Sequence, residues 1–214
     1  MNELTIIQRI FLSVIPLVFA ITVHEVAHGW VAKKYGDNTA YILGRLTLNP
    51  FKHIDLIGTI IIPGLLLITK TGFIFGWAKP VPVDTRYFKK PRHDMAIVAL
   101  AGPISNLLMA IGWVLIARMG VTIFNGNEAL MYIGLSGAEI NLQLMLLNLI
   151  PIPPLDGARV FSGMLPSYWA WQFNKLERFG FVILLILLNT KALNFIFDYP
   201  KYIIENWYYS LVGL

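Results

Sequence analysis

Cysteine is missing altogether, which excludes a disulfide framework and any thiolate metal site without fixing the compartment. Any metal bound by this chain is therefore held by histidine, aspartate or glutamate. Charge is scarce as well. Only 14% of the residues are charged, against 57% that are hydrophobic, a balance unlike that of a soluble single-core domain and in keeping with a membrane protein. Long Ser/Gly linkers, repeats and low-complexity tracts are also lacking, so residues 1–214 read as one domain. The net charge of +5 is unevenly spread: basic side chains crowd into 33–53 and 70–94, whereas 118–130 carries little beyond Arg118 and Glu128. The positive-inside rule puts the two basic stretches on the cytoplasmic side, and the charge is read as setting topology rather than as binding nucleic acid.

What the chain does have is apolar length. A spanning helix needs about 20 mostly apolar residues, and such runs occur at roughly 5–23, 95–117, 131–150, 179–197 and, less cleanly, 198–214. A further stretch, 56–69, is shorter. Arg9 ahead of an apolar run has the look of a secretory signal, but no small-residue cleavage pattern follows. The run leads straight into polar residues, so the expectation is a retained first span.

Those polar residues are "TVHEVAHGWVAKKYG", 22–36, in which His24, Glu25 and His28 form His-Glu-x-x-His. On a helix, positions i and i+4 share a face about 6 Å apart along the axis, so both imidazoles can turn to one cation with the glutamate alongside. This is the pattern of zinc metalloproteases, and with four histidines and six glutamates in 214 residues chance supplies only about 0.002 copies. The competing reading has the histidines as satisfied core polars or as side chains snorkelling to the headgroups. Two imidazoles and a carboxylate near hydrocarbon cost several kcal/mol unless compensated, and a zinc ion compensates them.

A catalytic zinc normally takes three protein ligands and keeps one open position. "LLNLIPIPPLDGARVFSG" offers the third: the apolar run 137–150 is ended by Pro151, Pro153 and Pro154, and Asp156-Gly157 follow. A carboxylate at a broken helix end at membrane depth is a functional candidate; the alternative is that Asp156 caps a short helix over 157–165. For Asp156 to meet His24 and His28, residues 54–85 must enter the bilayer and return, so that the ligands gather near the cytoplasmic face. "TGFIFGWAKPVPVD", 71–84, is rich in Gly and Pro and β-like in composition, and is expected to be a membrane-embedded strand or hairpin. Such a strand must pair with protein, and an open edge there would accept an unwound substrate by strand addition.

Taken together, "HEVAH", "GRLTLNPFKHIDLIGT" (44–59), "KPVPVD" (79–84), "DMAIVALAGPISN" (94–106) and "NLIPIPPLDG" (148–157) resemble, in order and spacing, the site-2 protease family of intramembrane zinc metalloproteases. The match runs from about residue 20 to 160. The resemblance implies an all-α integral membrane protein with a three-helix catalytic core, here about 5–33, 95–117 and 131–150, a catalytic region of about 5–165, and peripheral C-terminal helices at about 176–214. It implies one Zn2+ per chain, a membrane-spanning protein as substrate, and peptide-bond hydrolysis within or beside the substrate's spanning segment. Matched residue by residue, His24, His28 and Asp156 correspond to the metal ligands, Glu25 to the general base and Asn106 to an asparagine near the site. Many relatives carry a PDZ insertion or a regulatory tail, and neither is expected here.

In that mechanism Glu25 takes the proton of the attacking water and passes it to the leaving amine. Asn106 is read as a donor to the developing oxyanion, against a simple helix-helix hydrogen bond. Asn148 is read as an interhelical tether, with steadying of a ligand or of substrate backbone as the alternative. His53 and Asp55 are read as surface anchors in a basic, amphipathic stretch, and His93 is given no chemistry. The aromatics of 168–173 and 197–209 mark membrane interfaces. Two other functions share the ligands: a zinc transporter or channel, and a catalytically silent scaffold. The first calls for further ionisable residues through the spans and His-rich loops, which are read as absent; the second sits poorly with an intact Glu25.

Overall fold

The computed structural model describes residues 4–61 and 78–190, together with seven residues between 198 and 210. Its first helix, α1 (Ile6–Lys34), starts at Thr5 with a reciprocal cap. The Thr5 hydroxyl accepts the Gln8 N–H at 3.3 Å, and the Gln8 side-chain oxygen accepts the Thr5 N–H at 2.8 Å, so two of the orphan donors of the first turn are satisfied. At the far end Lys33 and Lys34 stand in the last turn, where cations complement the helix dipole. Gly36 then turns the chain at φ +104°, in the left-handed region that glycine enters without penalty.

A short helix α2 (Thr39–Ile42) and irregular chain follow, including a 3₁₀ turn at Pro50–Lys52 and a π-helical turn at Leu56–Ile61. From residue 78 the chain leads to α3 (Pro91–Thr122), whose first residue is proline, the one residue with no N–H to leave unpaired there. Asn127 caps α4 (Glu128–Leu149) by accepting the Leu130 N–H. The proline-rich break at 151–155 separates α4 from α5 (Asp156–Met164), and α6 (Ser167–Asn174) and α7 (Glu177–Asn189) follow, with the described residues between 198 and 210 also helical.

Three of these helices, α1, α3 and α4, are long and apolar enough to cross a membrane. The regular structure of the described residues is therefore all helical, and its three long apolar helices, the expected three-helix core, fit a multi-pass membrane protein. In that core α3 is central, packing along α4 and against α1 and α5, while α4 also meets α1. Small residues on the α3–α4 seam let the two helices approach closely. Gly134 of α4 lies against Ala117 of α3, Gly120 of α3 against Leu130 and Met131 of α4, Gly137 receives the Trp113 ring, and Ala138 packs with Val114. A Cβ at Gly134 would lie 2.5 Å from the Ala117 backbone nitrogen, and one at Gly137 would lie 2.5 Å from the Trp113 ring. Without a hydrophobic driving force in lipid, this close approach of backbones is what associates spanning helices. Large side chains point the other way: Phe11 of α1 is 69% exposed and Leu108 of α3 is 64% exposed, as befits a face turned to acyl chains.

The embedded strand or hairpin expected at 71–84 is not borne out. Residues 71–77 lie outside the described residues, and no strand occurs among the described ones. The reason for 79–84 is where its backbone hydrogen bonds go. The Lys79 N–H donates to the His53 carbonyl at 2.9 Å, and the Val81 N–H to the Glu25 carboxylate at 2.8 Å. Arg45 donates to the Lys79 and Pro80 carbonyls, and the Asp84 N–H donates to Asp37 at 2.7 Å. Side chains and isolated carbonyls thus do the work of a neighbouring strand. Of the last two expected spans, α7 covers the first as far as Asn189, and the region beyond 190 is mostly outside the described residues.

Candidate metal centre

The periodicity of α1 sets His24 and His28 one turn apart, with rings nearly perpendicular at 86° and centroids 4.6 Å apart. Each Nδ1 meets an acceptor. His24 Nδ1–H donates to Asn106 Oδ1 at 2.5 Å, and His28 Nδ1–H donates to the Val98 carbonyl at 2.7 Å, both acceptors lying on α3. The orientation of the Asn106 amide follows from its other contacts, because its Nδ2 donates to Asn141 Oδ1 at 3.0 Å and to the Ala20 carbonyl at 3.4 Å. Asn141 in turn donates to the Gly137 carbonyl at 2.8 Å. This chain of amides fixes the His24 tautomer, the Val98 carbonyl fixes that of His28, and each Nε2 is left with a bare lone pair.

The two lone pairs face each other, with Nε2 atoms 3.0 Å apart. Asp156 Oδ2 lies 3.1 Å from each of them. That carboxylate reaches the imidazoles because the α4 break delivers it as the first residue of α5. The cap position belongs to Leu155, and no side chain caps the helix, so Asp156 does not serve as a cap. Asp156 Oδ2 is buried and has no hydrogen-bond donor.

Three acceptors that converge within about 3 Å of one another and share no donor repel unless a cation joins them. A proton between two of them would satisfy only one contact at a time. Tetrahedral zinc with nitrogen and oxygen ligands at 2.0–2.1 Å spaces those ligands about 3.3 Å apart, so the three atoms suit that ion. They are also the cluster of metal-ligating groups found among the described residues, all within 4.8 Å of one another. Gly102 of α3 keeps the space clear: a Cβ there would lie 2.5 Å from His24 Cε1 and 2.5 Å from His28 Nε2. Gly102→Ala is accordingly expected to lower zinc retention, read as metal stoichiometry after dialysis against a competing chelator, while the helical content holds.

Glu25, between the histidines, is half-buried and directs Oε2 to the Val81 amide. Asn106 is fully buried, and both amide protons are engaged on Asn141 and Ala20. Asn148 donates to the Leu144 carbonyl of its own helix, the partner found for it here, rather than to another helix. His53 is 3% exposed, with Nε2 on the Thr47 carbonyl, so it is an interior group and not a surface anchor. Asp55 holds the Gly58 N–H at 2.7 Å. His93 lies against Asp94 at the start of α3, and Tyr168, Trp169 and Trp171 are exposed.

Two polar residues of α4 escaped the reading of the sequence. Asn141, fully buried, completes the amide chain to His24. Glu139 stands mid-span with the Gln143 amide donating to it at 3.1 Å, so the spans do contain a further ionisable residue. A lone asparagine and a lone glutamate inside an apolar run were the available signals.

The chain is 43% identical over 185 residues to YwhC of Bacillus subtilis, an alignment covering 83% of this chain and 80% of that protein. It is 28% identical over 195 residues to Rip2 of Mycolicibacterium smegmatis, covering 90% and 68% respectively. MJ0611 of Methanocaldococcus jannaschii is 32% identical over 150 residues, with 69% and 66% covered. All three are assigned by name as zinc metalloproteases. No family model and no solved structure matches the chain.

Proposed function

We propose, from the premise that the chain belongs to the zinc metalloprotease family of YwhC and MJ0611, that it is an intramembrane endopeptidase of the site-2 type. It would cut a peptide bond within or beside a membrane-spanning segment of a protein substrate. The observation that carries this reading is the meeting of His24 and His28, on the long apolar helix α1, with Asp156, the first residue of α5 after the break that ends α4.

In this reading the two Nε2 atoms and Asp156 Oδ2 hold the ion. Zinc, when bound, supplies Lewis acidity toward water and the scissile carbonyl. Glu25 is the general base: its carboxylate takes a proton from the attacking water and returns it to the leaving nitrogen. Asn106 orients His24 rather than meeting an oxyanion, since its amide protons already have acceptors and its Oδ1 takes the His24 proton. The basic stretches 33–53 and 70–94 put the C-terminal end of α1, and the site with it, toward the cytoplasm. A transit site for zinc is disfavoured because the ligating atoms that converge among the described residues are those of His24, His28 and Asp156, and Glu139 is not one of that group.

The test is to reconstitute the chain in liposomes with a single-span reporter and map the cut by mass spectrometry. A new terminus inside or within a few residues of the reporter's span, lost with a zinc chelator and restored by zinc, is expected. Cleavage only in a distant soluble loop, or cleavage unaffected by chelation, would refute the intramembrane reading.

A further inference from the structure

The segment 79–84 crosses α1 at the level of the candidate base. Val81 is 7% exposed, and its side chain lies against Gly29, one turn beyond Glu25, where a Cβ would stand 2.7 Å from Val81 Cγ1. Its N–H donates to Glu25 Oε2 at 2.8 Å. The segment is tied down on both sides of that contact. On one side Arg45 donates to the Lys79 carbonyl at 2.9 Å and the Pro80 carbonyl at 3.3 Å, and the Lys79 N–H donates to His53. On the other, the Asp84 N–H donates to Asp37 Oδ2, and Asp37 is wholly buried with its second oxygen held by the Thr39 N–H and hydroxyl. Pro80 and Pro82 flank Val81, fixing φ on either side and leaving no competing N–H next to it.

We infer that the main-chain amide of Val81 is the positioning group for Glu25, and that the 79–84 strap exists to present it. The inference rests on the reading of Glu25 as general base. A glutamate on a helix has three side-chain torsions, and a carboxylate swinging among rotamers spends little time where it can take a proton. With Oε2 engaged by a charge-assisted hydrogen bond, the side chain is held in one rotamer and Oε1 is left for proton transfer. Arg45 and Asp37 act at a remove, by keeping the strap from drifting. The polar groups of 79–84 are thus spent on orientation of the base, in the way that outer partners of catalytic groups are, with effects of about 10–100-fold when they are lost.

The first test needs no turnover. Between Lys79 and Asp84 only residues 79, 81, 83 and 84 carry an amide proton; Val81 is the one bonded to Glu25, and the amides of Lys79 and Asp84, held by His53 and Asp37, serve as references within the same peptide. Glu25→Ala in the otherwise intact chain is expected to speed hydrogen exchange at Val81 by about tenfold or more, because the acceptor that protects it is gone, and Glu25→Gln, which keeps an oxygen, by much less. Equal exchange in wild type and Glu25→Ala overturns the contact. The second test uses the reconstituted reporter that the wild-type chain cleaves. Val81→Pro, which deletes the N–H, is expected to lower kcat by about 10–100-fold with KM and zinc content near wild type. Val81→Ala, which keeps the N–H and loses packing, should lie within a few-fold of wild type. Arg45→Met, remote from the ligands, should lower kcat in the same direction, and combined with Val81→Pro it should add nothing, since both act through one carboxylate. A kcat unchanged by Val81→Pro, or losses that simply multiply in the double variant, overturns the inference. If the wild-type chain cleaves no spanning reporter while the exchange result holds, the protease reading falls and the contact stands.

Discussion

Glu25→Gln is expected to lower kcat for cleavage of a single-span substrate by about 10²–10⁴-fold, the usual worth of a positioned general base, with zinc remaining at one per chain. The geometry separates these two outcomes. Glu25 lies in the sequence between the ligand histidines, yet its carboxylate is bound to Val81 and is not among the three atoms that converge. Glutamine preserves the shape and an oxygen for the Val81 amide but cannot accept a proton at neutral pH. Chromatographic turnover assays and metal analysis on the same preparation decide the matter. Full activity in this variant would remove Glu25 from the chemistry, and loss of zinc would place it in the ligand set.

Asp156→Ala is expected to act in the opposite order, stripping the metal first. Its Oδ2 is the sole anion among the three converging atoms, buried and without a donor. Removing it leaves two neutral imidazoles, which are not enough to hold a catalytic zinc tightly. Affinity should fall by more than the roughly 10–100-fold that accompanies loss of an outer hydrogen-bond partner, and Asn106→Ala, which frees His24 Nδ1, provides that smaller loss for comparison. Competition with a chromophoric chelator measures both. Undiminished zinc binding in Asp156→Ala would mean that the third ligand lies elsewhere.

The arrangement of His24, Glu25 and His28 was legible because helical periodicity alone puts i and i+4 on one face. Asp156 was legible because three prolines announce a broken helix just ahead of a carboxylate. The three core helices follow from apolar length. What could not be read was partner choice. Asn106 and Asn141 sit in apolar runs with no local pattern to show that they bond to each other and that one of them bonds to His24. His53 stands in a basic stretch that suggests a surface, and only tertiary packing buries it. The β-like composition of 79–84 points to a strand, but the segment's N–H and C=O groups are taken by Arg45, Glu25, Asp37 and one carbonyl. Glu139 was overlooked because a hydropathy average over a span absorbs one charge.

The seam between α3 and α4 joins close backbone approach at Gly134 and Ala117 with one notch, at Gly137, that receives the Trp113 ring. Depth alignment of the two helices therefore rests on that ring in its notch and on the Asn106–Asn141 amide bond, which acts as a pin. A slip of one helical turn, 5.4 Å, would pull that pin and carry the aspartate of the proline break away from the imidazoles. Because spans tilt to match the hydrocarbon thickness around them, the width of the host bilayer bears directly on whether the three ligands stay level.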